Sequence, residues 1–141
     1  MEIVVEPKAF GQTMAGAITG PIWIRHSAGE FPGPDWHDFP VVILAWWLEA
    51  LDSKAASMTF SFMDGPLEFA VAKEDANLYR MEFIERRRNG NHLHAEEFIS
   101  PSALELALHI GASKVLLECS HRGWDGPDIQ HLRSLVGTVL Q

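Results

Sequence analysis

Asn89-Gly90 constrains this chain more than any other pair of residues, because Asn-Gly readily takes the positive φ angles of the type I′ turn that joins twisted antiparallel strands. The flanking segments 77–88 and 91–99 are long enough to be its two strands. A lone hairpin is marginal in water, so these strands need further partners and a covering layer. A second hairpin precedes them. Met58, Phe60 and Phe62 alternate with Ser57, Thr59 and Ser61, and Leu67, Phe69 and Val71 alternate with Glu68, Ala70 and Ala72. Period two sends alternate side chains to opposite faces. Pairing Phe62 with Leu67, Phe60 with Phe69 and Met58 with Val71 gathers the large side chains on one face. It leaves Met63-Asp64-Gly65-Pro66 as the turn and a small, smooth opposite face.

The rest of the chain supplies the cover. Glu2 to Glu6 reads as a short strand and Ala17 to Arg25 as a second, whose Gly20-Pro21 step predicts an edge position or a bulge. A Gly- and Pro-rich loop follows from His26 to Asp38. Asp38 is placed to cap a helix over about 39–54 with Pro40 in its first turn. Leu44, Trp47, Leu48 and Leu51 form its apolar stripe, and Val42, Ile43 and Trp46 widen it, so this helix is expected to be central or covered on two sides. Pro101, with Ser102 to Glu105 as a capping box, starts a helix that runs to about Arg122 and ends at Gly123. Pro127 opens a last helix with an apolar stripe of Ile129, Leu132, Val136, Val139 and Leu140. This order predicts one α+β domain over 1–141: an antiparallel sheet of about five to six strands with helices packed mainly on one face.

Charge and composition narrow the function classes. The formal charge of −8 argues against a nucleic-acid binder, since affinity for a polyanion comes from Lys and Arg, and favours a basic protein partner. The most apolar run, Val41 to Leu48, falls far short of the roughly 20 residues that cross a bilayer, so no membrane partner is expected. Cys119 is the only cysteine, which rules out an intrachain disulfide and suits a reducing cytoplasm. Met1 to Pro7 carries two glutamates and no basic start, so no signal peptide is expected. No phosphate loop, dinucleotide fingerprint, nucleophile elbow or zinc-protease helix occurs, and no cofactor is expected.

Three groups of residues bear on chemistry. His92, His94 and Glu96 stand two apart, which on a regular strand aims two imidazoles and a carboxylate to one side as metal ligands. In the register of a two-residue Asn-Gly turn the same residues are cross-strand partners: Arg87 faces His92, Glu85 faces His94, Phe83 faces Glu96, and Glu82 opposes Glu97. Asp35, Trp36 and His37 close the long loop beside Asp38, where an imidazole near carboxylates can serve as a base. The competing reading makes Trp36 a lid on the core and leaves His37 in solvent. Asp64 offers an exposed acid, although Asp-Gly is already explained by a tight turn. Cys119 and His121 are two apart on a helix and do not meet. Arg86, Arg87 and Arg88 form a solvated basic cluster at a hairpin tip.

The run from Trp36, His37 and Asp38 through Phe39, Pro40 and Ala45 to Trp46, Trp47 and Leu48, followed by Phe62-Met63-Asp64-Gly65-Pro66, resembles small acidic bacterial proteins of uncharacterised function, some similar to toxin-immunity proteins. The resemblance spans about the middle third of the chain and implies a fold and a role, that of a small protein which binds another protein, without assigning residues. Trp36, His37, Asp35, Asp64 and the smooth sheet face are then the candidate binding residues. The alternatives are a metal-dependent hydrolase built on His92, His94 and Glu96, and a homo-oligomer that buries a helix or sheet face against a copy of itself.

Overall fold

The computed structural model describes residues 1–139 and has an α+β fold whose strands fall into two antiparallel sheets, of five and four strands. The first sheet contains β1 (Glu2–Val5), β2 (Gly11–Gln12), β3 (Ile18–His26), β4 (Gly29–Phe31) and β5 (His37–Asp38). After α1 (Pro40–Asp52), the second sheet runs in sequence order through β6 (Ser57–Ser61), β7 (Leu67–Asp75), β8 (Leu78–Arg87) and β9 (Gly90–Ile99). The helices α2 (Pro101–His121) and α3 (Pro127–Val139) follow. Leu140, expected on the stripe of α3, lies outside the described residues.

β3 is the hub of the first sheet and not its edge. Ile24 and Arg25 pair with β1 on one side and with β4 on the other. Pro21 is tolerated there because Ile22 N–H donates to Trp36 C=O on the β5 side, so the nitrogen of Pro21 points the other way, beyond the end of the β1 ladder at Val5 and Ile22. The Gly- and Pro-rich loop is also more ordered than its composition suggests, since β4 and β5 both lie inside it and both pair with β3.

The first hairpin has the expected register: Met58 opposes Val71, Phe60 opposes Phe69, and Phe62 N–H donates to Leu67 C=O. Phe60 and Phe69 stack at 4.6 Å, and both are fully buried. Such a pair adds about 0.5–1.5 kcal/mol beyond its buried area. α1 lies on this inner face as the central helix, with Trp47 edge-on to Phe62 and Phe69 and its indole N–H donating 2.7 Å to Ser61 C=O. α2 packs on β1, where Gly111 sits so close to Ile3 that a Cβ would come within 2.9 Å of Ile3 Cγ2. Side chains of both sheets and all three helices share one core. No helix among the described residues is long and apolar enough to cross a membrane.

Candidate functional site

Asp38 is one of two buried charged residues among those described, and it is not a helix cap. α1 begins one residue later, with Phe39 in the cap position and no side chain bonded there. The Asp38 carboxylate instead accepts from Phe39 N–H (2.8 Å) and Met63 N–H (3.2 Å) on Oδ1, and from Trp36 Nε1–H (3.0 Å) and Asp64 N–H (3.1 Å) on Oδ2. Gly65, at φ +89°, lets the β6–β7 turn close over the Trp36 ring, which lies 3.6 Å from where its Cβ would be. Trp36 and Asp64 are thus brought together through Asp38, with Trp36 packed against the core. Asp35 and His37 are exposed and take no part in this lock. Of the loop candidates only Trp36 enters this tie, and Asp35 and His37 face solvent.

The proposed metal face is not assembled. Arg87 opposes Gly90, Glu85 opposes His92 and Ile84 opposes Leu93, after which a bulge at His94 resets the register so that Phe83 opposes Ala95 and Glu82 opposes Glu96. Directly opposed residues share a face, and Glu82 and Glu85 stand three apart on β8, so Glu96 and His92 point to opposite faces. His92 and His94 do meet, with ring centroids 4.7 Å apart. Their acid is Glu85, whose carboxylate lies 3.2 Å from His94 Nε2. The hydrogen bond from Arg87, and then that from His94, hold Glu85 below the usual carboxylate range. No group of three or more His, Cys, Asp or Glu able to hold a metal occurs among the described residues. The Glu82 and Glu97 pairing expected from the simple turn is likewise replaced, since Glu97 opposes Met81 and its Oε1 accepts from Ser27 N–H at 3.1 Å.

This register gives the second sheet an outer face that no described element covers. Across it run the rows Ser57, Ala72, Arg80, Phe98; Thr59, Ala70, Glu82, Glu96; and Ser61, Glu68, Ile84, Leu93. Phe98 is 54% exposed and Leu93 47%, and between them Glu82 and Glu96 are directly opposed across the two strands. Glu68, the other buried acid, is neutralised by the Arg86 guanidinium, and that bond in turn holds Arg86 above its ordinary value. The smooth half of this face follows from the alternation of β6 and β7. Phe98 was missed as a member of it because the bulge at His94 turns it outward, whereas Leu93, before the bulge, keeps the side that the simple turn gives it.

Elsewhere, Cys119 is buried, and burial pushes its thiol up. Trp46, on α1, is 42% exposed. The chain matches no protein-family model, no curated protein and no solved structure.

Proposed function

We propose that this chain is a small acidic protein-binding protein, immunity-like in that it holds a basic partner, and that it does so through the outer face of the β6–β9 sheet. The observation that carries this reading is the pairing of two apolar anchors, Leu93 and Phe98, with the directly opposed Glu82 and Glu96 on an uncovered sheet face. Protein interfaces combine an aromatic or aliphatic centre with polar groups that set orientation. Small neighbours such as Ala70, Ala72, Ser57 and Thr59 keep this face flat enough for a partner to approach closely. Two facing carboxylates repel one another when free, and a Lys or Arg set between them relieves that repulsion on binding. The formal charge of −8 steers a cationic partner toward the chain before contact. The resemblance of the Trp36 to Leu48 run to small acidic bacterial proteins, some similar to toxin-immunity proteins, agrees with this reading.

The test is affinity capture from the producing cells, run in parallel with wild type, Glu82→Lys/Phe98→Asp, and a Leu106→Ser control on the exposed side of α2. The expected outcome is a basic protein retained by wild type and control and weakened at least about tenfold by the double change, as loss of a central anchor predicts. Retention that the double change leaves intact would refute the assignment of this face.

A further inference from the structure

A cavity of about 270 Å³ opens at the end of the second sheet farthest from the Asn89-Gly90 turn, between the last turn of α1, the first half of α2 and α3. It lies on the inner side of the sheet, away from the proposed partner face. Leu48, Leu51 and Leu135 give it an apolar wall. Lys73 and Tyr79, directly opposed on β7 and β8, form one rim with Lys54. Pro101, Glu105 and His109 are spaced four apart and so line it from one face of α2, with Asp52 on the far side.

His109 is a group that the fold leaves unexplained. Both of its ring nitrogens are shut off from solvent, and neither has a hydrogen-bond partner among the described residues. A neutral imidazole carries one donor and one acceptor, and native proteins pair such groups when they bury them. The charged residues of the rim are equally uncommitted: Lys54, Lys73, Asp52 and Glu105 enter no ion pair among the described residues. Two cations and two anions therefore face one small cavity without being spent on the fold.

We infer that this cavity binds a small zwitterion of the amino-acid class. The rim charges cancel, so a ligand with a single charge meets two like charges, whereas one with both signs satisfies all four. Lys54 and Lys73 hold the carboxylate, Asp52 and Glu105 the ammonium, the leucines take the side chain, and the His109 ring, whose nitrogens are shut off as it stands, turns to bring one of them to a head group. The volume falls just under the roughly 300–1,000 Å³ that accommodates drug-sized ligands, which restricts the occupant to about one residue.

Calorimetric titration of the full chain with the proteinogenic amino acids tests this, followed by the methyl ester and the N-acetyl derivative of the tightest binder. Saturable one-to-one binding of at least one amino acid is expected, weakened at least about tenfold by either derivative and by Lys73→Met or Glu105→Gln. His109→Phe should abolish it. Lys73 and Glu105 are exposed, so their variants keep the test valid even if His109→Phe does not fold. Absence of saturable binding across the amino acids overturns the inference, as does binding that Lys73→Met and Glu105→Gln leave unchanged. Phe98→Asp is expected to bind normally, which separates this site from the partner face.

Discussion

Asp38 accepts four hydrogen bonds, three of them from groups two or more residues away, so its carboxylate is the knot between the β5 segment and the β6–β7 turn. Asp38→Ala strands those donors. Each one left dry costs about 1–3 kcal/mol, and water reaches the exposed turn at Met63 and Asp64, so a net loss of about 3 kcal/mol is expected in urea unfolding. Asp38→Asn should recover part of it, because an amide oxygen still accepts where the second carboxylate oxygen is lost. A loss under about 1 kcal/mol for the alanine variant would mean that water replaces the carboxylate. Local sequence rules place an Asp before a Pro-led helix as its cap. Nothing in the neighbouring residues announces acceptor duty for amides 25 and 26 positions downstream.

At the scale of elements, α2 meets β1 across Gly111. Alanine there gains up to about 1 kcal/mol of helix propensity but drives its methyl against Ile3, whose Cγ2 and Cβ would lie at 2.9 and 3.0 Å. β1 is held in place by β3, so the clash should win. Gly111→Ala is expected to lower stability by about 1–3 kcal/mol in a thermal melt, and less in an Ile3→Ala background, because the two residues share the contact. The two hairpins show what periodicity can and cannot convey. In the first, alternation fixes both faces and the register, and Met58, Phe60, Phe69 and Val71 stand where it puts them. In the second, Asn89-Gly90 locates the turn, but the strand pairing closes at Arg87 and Gly90, and the extra residue at His94 exchanges faces beyond it. A bulge adds one residue to a strand without altering its composition, so the His92, His94 and Glu96 face was legible as a pattern and absent as a surface. The central position of α1 was legible from apolar residues around most of its circumference, whereas the hub position of β3 was hidden by Pro21.

For the molecule as a whole, the two sheets are joined where the β3–β4 turn leans on β8 and β9. His26 stacks on Phe83 at 4.4 Å and 19°, its Nδ1 accepts from Ala28 N–H, and Ser27 N–H donates to Glu97. Burial pulls His26 below its ordinary value, outweighing the opposite pull of Glu97. A histidine depressed in the fold takes up its proton more readily when unfolded. Its share of stability is therefore present above about pH 6.5 and lost as pH falls through the folded value. Urea unfolding between about pH 7.5 and 5 should show stability falling with acid, with a shallower slope in His26→Gln; equal slopes would assign the acid sensitivity elsewhere. β9 is an edge strand of ten residues, long enough to template growth by a strand from another copy of the chain. An incoming strand in step with its first half falls out of step at His94, so the edge cannot be extended along its full length, and the bulge guards the chain against fibrous self-association.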